Sequence, residues 1–330
     1  MESFLGKTKV PLFFDEHGEF RMLVISDIQQ KERVTKRTIE TIERLLDKAS
    51  PSLIILNGDN GWGMNDENVF RKYLAEIVEP FEKRAIPWCH VFGNHDSEEL
   101  PTFGLFSLER TKLMEIYKSF PYCITKDSEE GVYGVGNCVL PVYDGDVPKF
   151  LVWLLDSNNR MDEIREGIWQ AAYMPSSRMP WEIGYFSFLR HSQIHWYYET
   201  SRKIEETYGE KIPGHMFFHI PLPELAIIID HPEETKRVGM IDATDFGPSL
   251  INSGLFSAII ERDDIKALFF GHDHANTFSG EYCGITMGYC GSLYPCDTDF
   301  PTCGARLITV EKAHPEIVKT EYIYANELDD

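Results

Sequence analysis

Leu53-Ile54-Ile55-Leu56-Asn57-Gly58-Asp59-Asn60 decides how the rest of the chain is read. An apolar run ending in Asn-Gly-Asp is the pattern of a strand buried on both faces that stops at a tight turn. It leaves one carboxylate, Asp59, at the sheet's carboxyl edge. Open α/β sheets place their chemistry at that edge. Taken alone, an aspartate after glycine more often caps the following turn or helix. Here it has company. The preceding strand ends in Ser26-Asp27, and later strands lead into Gly93-Asn94-His95-Asp96, His219 and Gly271-His272-Asp273-His274. Five strand ends thus deliver metal-ligating side chains, and Asp59 is read as a carboxylate that bridges two metal ions.

Outward from this strand, helices and strands alternate. Phe20 to Ile25 predicts a strand, and Val34, Thr38, Ile42, Leu45, Leu46 and Ala49 share a helical face that Pro51 ends. A second helix is predicted over 66–84, a strand over 87–92, and the end of a third helix at Met114 to Phe120. Parallel βαβ units and an α/β fold follow from that alternation. From Gly131 to Asp156 the pattern becomes strand after strand. Residues 158–188 have no steady period and predict a long insert or lid, of the kind that is functional or mobile. A helix over 190–208, a strand at Met216 to Phe218 and a polar loop over 231–250 come next. A helix at Leu255 to Ile260 and a strand at Ala267 to Phe270 precede C-terminal strands at about 276–324.

With 330 residues, 43% of them hydrophobic, the chain can bury a large core. Its net charge of −21 excludes a broad nucleic-acid-binding surface, which would need basic phosphate contacts. The seven cysteines form no C-x-x-C pair, so reduced thiols and a cytoplasmic location are expected. No apolar run of 18 residues occurs, and no membrane partner is expected.

G-N-H-D and G-H-D-H, preceded by D-x-x and G-D at strand ends, resemble the calcineurin-like metallophosphoesterase superfamily over about residues 20–290. The resemblance implies a two-sheet α/β sandwich flanked by helices, spanning 1–330 as one domain. It implies two divalent metal ions, one held by Asp27, Asp59 and His274 and the other by Asp59, Asn94, His219 and His272. His95 would steady the phosphoryl group or protonate the leaving oxygen, with Asp96 orienting it, and a hydroxide bridging the metals would attack phosphorus. The family's usual histidine two residues after the first aspartate is Gln29 here. Purple acid phosphatases also lack that histidine but carry a tyrosine three residues after the bridging aspartate, where this chain has Trp62. The first metal position is therefore expected to be weaker and oxygen-rich, helped by the Gln29 amide or by water. It should favour Mn²⁺ or Fe²⁺, with Zn²⁺ the other candidate.

Leu155-Asp156-Ser157, Gln193-x-x-Trp196-Tyr197, His219-Ile220-Pro221-Leu222-Pro223-Glu224 and His274-Ala275-Asn276 resemble fungal and plant phosphatases related to purple acid phosphatase. The expected function is hydrolysis of a phosphomonoester on a small molecule or a phosphoprotein. The alternatives are a phosphodiesterase and a non-catalytic scaffold of the same fold. Among other candidates, His90 reads as a core histidine, and His215 as less apt for ligation than His219. His191 and His195 read as packing or surface residues, Arg160, Arg178 and Arg190 as solvated cations within reach of a phosphate, and Asp273 as a turn former.

Overall fold

A computed structural model describes residues 5, 8–98, 106–159, 186–241, 247–249, 251–294 and 301–328. The chain runs β1 (Leu12–Phe13), β2 (Glu19–Ile25), α1 (Lys36–Ala49), β3 (Leu53–Asn57), α2 (Glu67–Lys83), β4 (Trp88–Val91) and α3 (Arg110–Lys118). A hairpin of β5 (Cys138–Asp144) and β6 (Val147–Leu154) follows, then α4 (His191–Tyr208), β7 (Gly214–Phe217) and a short α5 (Ala226–Asp230). Last come α6 (Leu255–Arg262), β8 (Ile265–Phe270), β9 (Ser279–Tyr282), β10 (Ile285–Tyr289), β11 (Gly304–Glu311) and β12 (Lys319–Tyr324).

Local signals set these boundaries. Thr35 caps α1 by accepting from the Thr38 N–H, and Ser50 ends it in the left-handed conformation just before Pro51. Asp66 caps α2 by accepting from Asn68 and Val69 N–H. Every residue of β3 is buried, as a central parallel strand covered on both faces requires.

Two sheets result. One has five strands in the order β12-β11-β2-β3-β4, the other seven in the order β1-β5-β6-β7-β8-β10-β9. The two-residue side-chain period sorts each strand into two cores. From β2, Phe20, Met22 and Val24 face the space between the sheets, where they join Leu53, Ile55, Phe150, Val152, Phe217 and Phe269. Leu23, Ile25, Ile54 and Leu56 face α1 and α2 instead. On the far side, Leu151 and Trp153 pack with residues of α4 and α6. The order of layers is helix, sheet, sheet, helix, as the family resemblance implied.

Several expectations are adjusted. Residues 131–137 form turns rather than strand, with Gly131, Gly134 and Gly136 all at positive φ, so the hairpin starts only at Cys138. The predicted insert at 158–188 lies outside the described residues except at 158–159 and 186–188, and Arg160 and Arg178 fall in that stretch. Cys89, Cys123, Cys138, Cys283 and Cys290 are free, but Cys303 is disulfide-bonded. The expectation of a fully reduced set fails there, and with it the cysteine argument for a cytoplasmic location. Among the described residues, no helix is long and apolar enough to cross a membrane.

Candidate metal centre

β2, β3 and β4 are parallel neighbours in the smaller sheet, and β7 and β8 in the larger. Just past their carboxyl ends the chain reaches Asp27, Asp59, Asn94, His219 and His272. Three of these five residues, and Gln29 beside them, sit in strained backbone. Asp27, Gln29, Asp59 and His272 all sit at positive φ, between 43° and 80°, a region L-residues rarely adopt and one that gathers at functional sites. Backbone bonds hold the turns: Asp27 N–H donates to Gly58 O at 3.0 Å, Gln29 N–H to Asp59 O at 3.0 Å, and Gly271 N–H to His219 O at 3.1 Å.

Glycine is required beside two of these ligands. A Cβ at Gly93 would lie 2.2 Å from Asp59 Oδ1, and one at Gly271 would lie 2.1 Å from Ser26 Oγ and 2.7 Å from Asp27 Oδ2. The glycines of G-N-H-D and G-H-D-H therefore let one strand end press against another's carboxylate.

Asp59, His219 and His272 present ligand atoms that all lie within 4.8 Å of one another. His219 Nε2 is 3.0 Å from Asp59 Oδ2 and 3.8 Å from Asp27 Oδ1, and His274 Nε2 is 3.4 Å from Asp27 Oδ1. His219 Nδ1 donates to the Asn57 carbonyl at 2.9 Å, which leaves Nε2 as the nitrogen that can exchange a proton for a cation. Both side-chain amide atoms of Asn94 are buried with no hydrogen-bond partner. Orphaning a buried polar atom costs on the order of 1–3 kcal/mol, and a cation relieves that cost. Carboxylate, imidazole and amide oxygen are also the donor set that Mn²⁺, Fe²⁺ or Zn²⁺ accepts, so these residues fit a metal.

The charge state points the same way. Burial would push His219 down, but Asp59 and Asp27 outweigh it and hold the imidazole at about 9. Burial would raise Asp59, yet His219 and then His95 keep it well below the usual carboxylate range. His272 is depressed far below an ordinary histidine by burial and by His219. For His274, burial works downward while the bond and charge of Asp27 raise it. Without metal, the proton on His219 is the positive charge this cluster demands.

Gln29 reaches the cluster by donating from Nε2 to Asp59 Oδ2 at 2.7 Å. His95 donates its backbone N–H to Asp59 Oδ1 at 2.7 Å, and its ring packs against Trp62 with centroids 5.1 Å apart. Asp96 does not orient that ring. Its carboxylate turns back to accept from the N–H groups of Asn60, Gly61 and Gly93, pinning the 93–96 turn to the end of β3. Glu98 takes the orienting place, with Oε2 2.5 Å from His95 Nδ1. Arg110 holds the same loop through Gly93 O, Ser97 Oγ and Asp156. Ser26, whose hydroxyl donates to Asp27 Oδ2 at 2.5 Å, and Phe186, whose ring lies 4.1 Å from that of His272, were also missed. Only Ser26 had a signal, its adjacency to Asp27.

The other histidines take bland places. His90 stacks on Tyr117 at 3.6 Å, and His215 lies in the core against Phe150 and Phe269. Asp273 accepts from Ala275 N–H within the turn.

The model of the calcineurin-like phosphoesterase family matches residues 20–276. The chain belongs to that family. Among curated relatives, it is 26% identical over 315 residues to "Probable inactive purple acid phosphatase 29" of Arabidopsis thaliana, covering 86% of this chain and 74% of that one. It is 27% identical over 296 residues to "Phosphatase DCR2" of Saccharomyces cerevisiae, covering 84% of this chain but 45% of that protein. In fold it is similar to a dimetal phosphatase from Danio rerio, with a TM-score of 0.56 and 14% identity, over 93% of this chain and 99% of the other. The family and the fold are those implied by the strand-end motifs.

Proposed function

We propose that this phosphoesterase hydrolyses phosphomonoesters, carried on a small molecule or a phosphoprotein, with divalent cations held by Asp27, Asp59, Asn94, His219, His272 and His274. The observation that carries the reading is the convergence of Asp59, His219 and His272 ligand atoms within 4.8 Å of one another, together with the buried, partnerless amide of Asn94. Mn²⁺ or Fe²⁺ suits this oxygen-rich set, with Zn²⁺ the alternative. Bound there, the cations supply an acidified water for attack and neutralise charge on the phosphoryl oxygens.

The chain's own residues do the rest. Asp27, Asp59, Asn94 and His219 are each no more than 1% exposed, and the low dielectric around them strengthens each charge interaction. Glu98 holds a proton on His95 Nδ1, so Nε2 is the nitrogen that exchanges a proton with the leaving oxygen. Arg110 and Asp96 fix the loop that carries Asn94 and His95.

A second reading is a non-catalytic member of the family. Gln29, in place of the family's usual histidine, and relatives whose names carry the word inactive favour it. Measuring bound metal and the turnover of an aryl phosphate on the same purified sample separates the two. Stoichiometric metal with no turnover of mono- or bis-aryl phosphates would sink the hydrolytic reading. Faster turnover of the bis-aryl ester would make the protein a diesterase.

A further inference from the structure

We infer that the two cation positions are unequal and fill in a fixed order. The position built by Asp59, Asn94, His219 and His272 loads first, and Gln29 acts at the other as a hydrogen-bond donor that competes with the cation rather than as its ligand. The inference rests on the metal-dependent reading above.

The argument starts at the shared carboxylate. Asp59 Oδ1 accepts the His95 N–H at 2.7 Å, and Oδ2 is the oxygen for which the neighbouring side chains compete. Two nitrogens lie against Oδ2: His219 Nε2 at 3.0 Å and Gln29 Nε2 at 2.7 Å. They are not equivalent. An imidazole nitrogen that loses its proton becomes a ligand, whereas an amide NH₂ is only ever a donor. In the metal-free cluster the amide's oxygen cannot take its place against Oδ2 without setting two acceptors in contact, so the bond must be given up before that oxygen could ligate. Gln29 is 5% exposed, and its backbone N–H also donates to Asp59 O, so backbone and side chain both bond the same residue.

Asp27 is engaged as well. Its Oδ2 accepts from the Ser26 hydroxyl and from His272 N–H at 3.0 Å, and its Oδ1 lies 3.4 Å from His274 Nε2. The side chain of His274 is 27% exposed. The Asp27 side therefore offers one rim imidazole and a carboxylate already in hydrogen bonds, and a cation there must displace the Gln29 amide. On the Asn94 side the bond in the way is the one from His219 Nε2 to Asp59 Oδ2, and an imidazole that gives up its proton turns from competitor into ligand, while the Asn94 amide has no partner to give up. Two imidazoles, His219 and His272, stand there together with Asp59.

The test is calorimetric titration of the metal-stripped protein with Mn²⁺, backed by elemental analysis after dialysis. One tight step and a second at least about tenfold weaker are expected. Two equal steps would overturn the inference, whereas no bound cation would overturn the metal-dependent reading itself. Asn94→Ala should weaken the tight step about tenfold or more, and His274→Ala should leave it unchanged. The reverse pattern would reverse the order. Gln29→His should strengthen the second step about tenfold and yield two retained ions per chain. Gln29→Leu should leave that step as strong or stronger. If Gln29→Leu weakens it tenfold, the amide oxygen is a ligand and the competing-donor account is wrong.

Discussion

Glu98 is 2% exposed and bonds an imidazole that stands at the rim of the ligand cluster. A residue that only orients His95 should affect the chemical step and leave substrate binding alone. Glu98→Gln is therefore expected to lower kcat about 10- to 100-fold with KM within a factor of about two, as measured losses at orienting partners run. An equal rise in KM would assign Glu98 to substrate binding instead. This carboxylate was not legible in the sequence, where Asp96 is the nearer acid. Neighbours in a tight turn point in different directions, and the 93–96 turn sends Asp96 toward the backbone of Asn60 and Gly61. The glutamate two residues further on returns to the ring. The strand-end placement of Asp27, Asp59, Asn94, His219, His272 and His274 was legible for the opposite reason: each ends or closely follows an apolar run, and a strand's direction fixes where its carboxyl end lies.

At the level of the element, the turn after each strand matters more than the strand. The apolar patterns of β2, β3 and β8 marked where ligands emerge, but not that their backbones would need left-handed turns at Asp27, Asp59 and His272. Nor could they show that Gly93 rests against the Asp59 carboxylate. Adding a methyl there forces Asp59 to move, so Gly93→Ala should cost roughly 1–3 kcal/mol of stability and weaken cation binding about tenfold or more. Gly145→Ala is the control. It places alanine at a φ of +60°, a strain that Gly93→Ala does not carry, but has nothing within 4 Å of the added carbon, so binding should be unaltered. If both variants lose the cation equally, general destabilisation rather than contact with Asp59 is the cause. Where the elements lack period, around 131–137, turn-forming glycines decide the path and a strand pattern misleads.

Across the whole molecule, the proposed ligands come from both sheets, so a cation held by them would tie together the two halves of the sandwich. A cation at 100 times its dissociation constant adds about 2.7 kcal/mol to folding stability, and chelation removes it. Scanning calorimetry with and without EDTA should show a lower melting temperature in chelator. An unchanged melt would mean that no cation binds the folded state preferentially.

The metal-free molecule should also weaken in acid, through two histidines remote from the ligands. Burial alone pushes His90 and His215 down to about 3, from an ordinary 6.5 in the unfolded chain. Above pH 6.5 neither state binds the extra proton, and stability is full. Between pH 6.5 and about 3 the unfolded chain takes up protons that the folded one refuses, so stability falls as pH falls, by about 1.4 kcal/mol per unit for each histidine. At pH 4 the loss from His215 alone reaches about 3 kcal/mol. His215 packs against Phe150 and Phe269 and both its ring nitrogens are buried without partners, so nothing in the fold offsets that loss. His215→Leu should therefore flatten the acid limb by one proton's slope while leaving the neutral plateau within about 1.5 kcal/mol. Urea unfolding in EDTA from pH 4 to 8 measures both slopes. Parallel limbs in the two proteins would show that His215 is protonated in the folded chain and that water reaches this part of the core.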